Sequence, residues 1–307
     1  MAKHGYYLAA ALLIAALLAA GCVETSLEQP GPPQDLRIAT TTSLYDTGLL
    51  DELQAIFEEE YNARLLIVSA GTGKALEYGQ RGDVDVMMVH DRAREDAFIA
   101  DGDGVNRRVI AYNYFVIAGP ESDPAGIRGM APEEAFLKIL EEGMQGTAGV
   151  AFVSRGDASG THSKEQAIWK AAGKDYAADI QGSGAWYVEA GRGMGETLVM
   201  ASEKEAYTLS DIGTFLAYKG DLELVSIVDE GDILLNVYSV MQINPEKHSE
   251  IESDLARDWI NFLISDEAQE AIASFGVAEY GEPLFYPAAG NWETMGVPQS
   301  EVEDPIP

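Results

Sequence analysis

From Leu36 onward the hydrophobic and polar positions change period repeatedly. LRIATT (36–41) predicts a strand. Tyr45 to Tyr61 carries Leu49, Leu50, Leu53, Ile56 and Phe57 at helical spacing, which predicts a helix with one buried face. ARLLIVSA (63–70) reads as a buried strand, Gly73 to Arg81 as a short helix, VDVMMVH (84–90) as a strand and Arg92 to Ala100 as a helix. Strands alternating with helices in this way predict a parallel sheet covered on both faces.

A long β-rich run, RRVIAYNYFVIAGP (107–120), leaves this unit and enters a second one. There the expected order is helix Pro132 to Glu142, strand 149–154, helices Ser159 to Ala172 and Gly195 to Lys204, strand AYTL, helix Asp211 to Ala217 and strand LELVSIV. LLNVYSVMQIN (234–244) is the second long run, followed by helices Ser249 to Leu263 and Asp266 to Ser274. The expected fold is α/β: two lobes, 36–113 with 238–290 and 114–237, joined by two crossover strands around a cleft. Segment 291–307, rich in Pro and acid, is expected as a surface tail.

The leading residues read as an address. Lys3, the apolar run Leu8 to Leu18 and the small residues before Cys22 have the layout of a secretory signal over 1–21, too short to span a membrane. A signal with Cys after small residues also resembles that of a lipoprotein, in which Cys22 is lipidated, although Ala19 stands where Leu is usual. Residues 22–35 then form a tether whose prolines keep it extended.

Composition narrows the chemistry. Fifty-one acidic against 20 basic residues give a net charge of -31, a poor basis for gripping nucleic acid or anionic lipid. So much self-repulsion is tolerable where salt shortens the Debye length to about 3 Å, which points to a halophile's exported protein. One Cys and four scattered His exclude a disulfide framework and leave little for a metal site.

Three segments place small hydroxyl residues and Gly where a strand gives way to a helix: Thr40-Thr41-Thr42-Ser43, Ser69-Ala70-Gly71-Thr72-Gly73-Lys74 and SRGDASGTHSKE (154–165). Free N–H groups and the positive end of the helix dipole make such places receptive to anions, and Ser and Thr add neutral donors. Singly, each could be an ordinary helix cap. Three drawn from both expected lobes favour a shared anion site. Arg155, one of few arginines, can hold an oxyanion with two charge-assisted bonds, or else pair with Asp157.

Sharper motifs fail. SAGTGK lacks the first Gly of a phosphate-binding P-loop and has Ala75 where Ser or Thr is required. Gly156 to Gly160 does not hold Ser at the centre of a nucleophile elbow. Ser159 with His162 is the rival from another class, a hydrolase pair, against the commoner fate of a His at a helix start.

Taken together, TTTSLYDTGLL, AGTGKAL, SRGDASGTHSKE and YTLSDIGTF resemble the Tup-type tungstate-binding lipoproteins of ABC importers, over about Leu36 to Pro287. The resemblance implies a class II periplasmic-binding-protein fold that closes around a tetrahedral oxyanion, with no cofactor, no metal ligands and no enzymatic activity. It implies a receptor anchored outside the cytoplasmic membrane, serving a permease with a cytoplasmic ATPase. By position it assigns the anion to Thr42, Ser43, Thr72, Gly73, Arg155, Ser159 and Thr161, with Thr208 as an addition. Molybdate, sulfate and phosphate are the rival ligands, and phosphate, which carries a proton, would want an acceptor such as Asp157.

Overall fold

The computed structural model describes residues 31–307, so the expected signal, Cys22 and most of the tether lie outside the described residues. Gln34–Pro307 pack as one unit. Its first part is β1 (Gln34–Thr41), α1 (Thr42–Tyr45), α2 (Leu49–Tyr61), β2 (Ala63–Ala70), α3 (Thr72–Gln80), β3 (Val86–Val89) and α4 (Arg92–Ala100). Next come the 17-residue β4 (Gly104–Pro120), α5 (Pro132–Gln145), β5 (Phe152–Ser154), α6 (Gly160–Ala171), β6 (Tyr187–Glu189), α7 (Met194–Glu203), β7 (Tyr207–Asp211), α8 (Ile212–Ala217) and β8 (Leu224–Val228). β9 (Leu235–Ile243), α9 (Ser253–Leu263), α10 (Asp266–Ser274), α11 (Val277–Tyr280), β10 (Tyr286–Pro287), α12 (Trp292–Met295) and α13 (Ser300–Glu303) follow.

The strands lie in the order β2-β1-β3-β9-β4-β7-β5-β6, with β8 and β10 also paired to β4. β1 runs parallel to β2 and β3, and β5 parallel to β6 and β7, as the βα alternation requires. β4 and β9 run antiparallel to each other, Gly104 to Tyr114 against Ile243 to Leu235. From Phe115 onward β4 changes partners, to β7 and β8. The strand-rich run of the sequence is therefore a single strand shared by two groups of neighbours.

Each group has its own aromatic filling. Leu49, Leu50, Leu53 and Phe57 form the buried face of α2, while Asp51 and Glu52 face outward. Phe57 meets Trp259 edge-on at 4.9 Å and Phe262 at 5.4 Å. On the other side Trp169 of α6 packs on Phe136 of α5 at 4.6 Å and near Phe152 of β5. A fully buried side chain of this size contributes about 1.5–3 kcal/mol through the hydrophobic effect, so these clusters fix how helices seat on the sheet.

Several expected boundaries are corrected. The helix expected from Tyr45 splits, because Gly48 adopts a left-handed φ of 82° and restarts it at Leu49. The helix expected from Ser249 begins at Ser253, after turns. Strands β6 and β10, three and two residues long, carry too short a pattern to be foreseen.

The supposed surface tail is docked. Met295, Val297 and Val302 are buried with Val109 and Tyr112 of β4, and Ile306 joins the main core. Glu301 takes Arg92 at 2.6 Å and Arg107 at 3.2 Å, and Asn261 of α9 bonds the Ile306 backbone in both directions.

Candidate functional site

In a parallel arrangement ligands sit beyond the carboxyl ends of strands, where helix N-termini gather. Here β1 hands over to α1 at Thr42, β2 to α3 through Gly71, and β5 to α6 through residues 155–159. α3 has no side-chain cap, since its N-cap is Gly71. α6 is capped by Ser159, whose hydroxyl accepts from the His162 N–H at 3.2 Å and so keeps its own proton.

Glycine lets these loops approach. A methyl group on Gly71 would lie 3.6 Å from the Asp157 carbonyl oxygen and 3.9 Å from the Ser159 Cα. One on Gly73 would lie 3.7 Å from the Ala158 carbonyl oxygen. A fourth helix start, missed in the sequence, joins them: a methyl on Gly193, the N-cap of α7, would lie 3.8 Å from Thr42 Oγ1. The run Gly191-Arg192-Gly193-Met194-Gly195 was the available signal, another glycine-rich passage from strand to helix.

Arg155 ties the parts together. Its guanidinium is buried, and Nε donates to the Arg192 carbonyl at 2.7 Å. Nη2 donates to Asp157 Oδ2 at 2.5 Å and, more loosely, to Thr42 Oγ1 at 3.4 Å. Of the two readings of Arg155, the pairing with Asp157 is the one observed, while Nη1 meets no acceptor among the described residues. Gly156 beside it has φ 59°, and a side chain there would run into Glu189 at 2.6 Å.

Behind the loop, Ser154 Oγ accepts from the Gly156 N–H and donates to buried Glu165 at 2.5 Å. Glu165 also accepts from Trp169 Nε1 and the Tyr187 hydroxyl. Arg155 therefore sits on a braced turn.

Two of the expected donors stand out. Thr72 and Thr161 are 0% and 1% exposed, and neither hydroxyl has a hydrogen-bond partner among the described residues. Leaving a buried hydroxyl unpaired costs about 1–3 kcal/mol, which a ligand would recover.

Thr208 is different. Its hydroxyl donates to the Val153 carbonyl at 2.7 Å within the β5–β7 pairing. With its one proton engaged it offers only lone pairs, the wrong polarity for an oxyanion, and we remove it from the donor set.

Ser43 lies 3.1 Å from His90 Nε2, and a methyl on Gly160 at the start of α6 would lie 2.9 Å from the same ring. A cavity of about 460 Å³ is lined by His90 and Gly160 together with Asp91, Arg94, Lys164 and Asn236. His90, at the carboxyl end of β3, was not foreseen. His162 does not pair with the Ser159 hydroxyl: its Nδ1 takes the Ala158 N–H at 3.1 Å and its Nε2 faces Gln166. The hydrolase pair expected of Ser159 and His162 is therefore not formed.

Buried acids give the molecule an unusual pH response. Burial pushes Glu95 and Glu165 up to about 7 and Asp211, the cap of α8, up to about 6. With folded values above unfolded ones, the native state binds the extra protons, so their stabilising contribution is lost as pH rises through 6 to 7. We expect the unfolding temperature in molar salt to rise as pH falls from about 8 to about 6.5, by the equivalent of about 1–2 kcal/mol. Below that His90, lowered to about 4 by burial, and His162, also lowered, oppose the trend, because the unfolded chain protonates them first. Thermal melts across this range would contradict the assignment if stability fell monotonically with acidification.

Comparison with known proteins places the chain in a family. A family model described as a PBP superfamily domain matches residues 27–267. A putative ABC transporter anion-binding protein of Haloferax volcanii is 47% identical over 266 residues, 84% of this chain and 73% of that protein. The tungstate-binding protein TupA of Peptoclostridium acidaminophilum is 39% identical over 287 residues, 91% of this chain and 96% of that protein. A crystal structure of the tungstate ABC transporter from Geobacter sulfurreducens is similar with TM-score 0.69 and 44% identity, covering 78% of this chain and 98% of that one. The tungstate-binding protein TupA from Desulfovibrio alaskensis gives TM-score 0.68 and 39% identity, covering 83% and 98%.

Proposed function

The chain belongs to the PBP superfamily and, within it, to the Tup-type tungstate-binding proteins, and from that premise we propose that it is the extracytoplasmic receptor of an ABC importer for tungstate. It is a binding protein, not an enzyme. The same reading includes anchorage through a lipid on Cys22, delivery to a permease with its ATPase, and operation in concentrated salt, for which the charge of -31 argues.

The observation that carries it is the pair of buried hydroxyls without partners among the described residues, Thr72 and Thr161, at helix starts whose loops adjoin Arg155. Fully ionised tungstate has no proton to give, so it needs donors alone. Thr42, Thr72, the N–H of Gly73, Arg155, Ser159 and Thr161 are such donors. Six bonds to a charged group at about 1.5–3 kcal/mol each exceed the roughly 4 kcal/mol or more of lost rigid-body freedom by enough for tight binding.

The donors come from both expected lobes, 36–113 with 238–290 and 114–237, so the ion favours the closed arrangement by bonding more groups there. β4 and β9 are the hinge in this reading. Asp157 already accepts from Arg155 and from the Ser159 N–H, so accepting phosphate's proton as well would compete with those bonds. Molybdate, with the same charge and shape, shares the site.

Calorimetric titration in molar salt tests this. Tungstate and molybdate are expected to bind tightly, and sulfate and phosphate at least about a hundredfold more weakly, a difference of about 2.7 kcal/mol. Heat from sulfate or phosphate alone would overturn the ligand, and no heat from any oxyanion would overturn the receptor.

A further inference from the structure

A directional hydrogen-bond chain crosses the two shared strands and ends at Ser43, one of the expected donors. Asn113 of β4 and Asn236 of β9 stand opposite each other. Asn113 Nδ2 donates to the Leu284 carbonyl at 3.2 Å, which fixes its Oδ1 as the acceptor for Asn236 Nδ2 at 3.0 Å. Asn236 Oδ1 therefore faces His90 Nδ1, 2.9 Å away, and makes that nitrogen the protonated one.

In the neutral ring Nε2 is then a bare acceptor, and Ser43, 3.1 Å from it, must donate to it. Ser43 Oγ has Thr41 Oγ1 as its other neighbour at 3.3 Å, and that hydroxyl accepts from the Leu44 N–H. Since a backbone carbonyl cannot donate, the chain cannot reverse. Ser43 gives its only proton to His90 and presents lone pairs to an incoming anion.

That polarity suits the unliganded protein and opposes the ligand. A dianion beside Arg155, whose charge Asp157 already balances, leaves uncompensated negative charge in a buried place. His90, in contact with the expected donor Ser43, is a titratable group placed to answer it. Its ring is wedged between Ser43, Gly160 and Tyr238, which stacks on it at 4.9 Å, with Phe115 of β4 at 6.2 Å.

The charges facing it are Asp91, which favours protonation, and Arg155 and Lys164, which oppose it. Without ligand, burial dominates and keeps the ring neutral down to about pH 4.

We propose that His90 is a positioning residue that takes one proton from solvent when the oxyanion is captured. Its Nε2–H then donates to Ser43, and Ser43 turns its own proton to the ligand. This rests on the tungstate reading above.

The test is titration with sodium tungstate at about pH 6, where an imidazole can change state, in buffers of different ionisation enthalpy. Wild type is expected to take up close to one proton per tungstate, and its affinity to rise as pH falls, approaching tenfold per pH unit. His90→Gln is expected to bind more weakly, without proton uptake and without that pH dependence. Nitrogen-15 NMR of the wild-type ring, needing no variant, should show Nε2 change from unprotonated to protonated type on tungstate addition.

Tungstate heat independent of the buffer, uptake undiminished in His90→Gln, or an unchanged Nε2 signal would overturn the proposal while leaving the receptor intact. Absence of tungstate heat under every condition would instead remove the receptor reading, and this proposal with it.

Discussion

Arg155→Ala is expected to weaken tungstate binding by roughly 30-fold to several thousandfold, the equivalent of about 2–5 kcal/mol for truncating a buried, hydrogen-bonded charge. The loss has two sources. The ligand loses its cationic donor, and Asp157 is left beside the site with its charge unopposed. Arg155→Lys should recover little, because one ammonium cannot hold the Arg192 carbonyl through Nε and Thr42 through Nη2 at once. Calorimetry on both variants checks this, and an affinity within threefold of wild type for the Ala variant would place the anion elsewhere.

Thr72→Val and Thr161→Val should separate binding from folding by sign. Each change keeps the shape of the side chain and deletes a buried hydroxyl that has no partner among the described residues. Removing an unpaired buried group should raise unfolding stability by about 1 kcal/mol per site. Removing a donor to a charged ligand should lower tungstate affinity at least about tenfold per site, and about a hundredfold in the double variant. Thermal melts and titrations on the same samples read both quantities. If stability falls and affinity holds, the hydroxyls belong to the fold and the donor set is wrong.

The sequence carried the alternation of β and α, the long run that became β4 and the three hydroxyl-rich junctions, because each is local: a period, a composition, a strand-to-helix change. What it concealed depends on pairing. Thr208 looks like a donor beside Asp211 until β7 lies against β5 and Val153 takes its proton. His90 became visible only when β9 placed Asn236 beside it.

Segment 291–307 misled for a different reason. Its apolar residues are single and spaced among prolines and acids, so no period announces that each fills a separate niche on β4 and its neighbours. Gly193 shares the local pattern of the other junctions, glycine between a strand and a helix, and so was legible.

The docked segment also bears on how the protein can be handled. Ile306 is 6% exposed and its backbone is bonded to Asn261, while Glu301 grips Arg92, two residues from His90. A purification tag, fluorophore or surface-immobilisation sequence fused after Pro307 would pull against this clasp. Loss of those bonds would lower the unfolding temperature of such a fusion below that of the unfused chain, which thermal melts of the two would show.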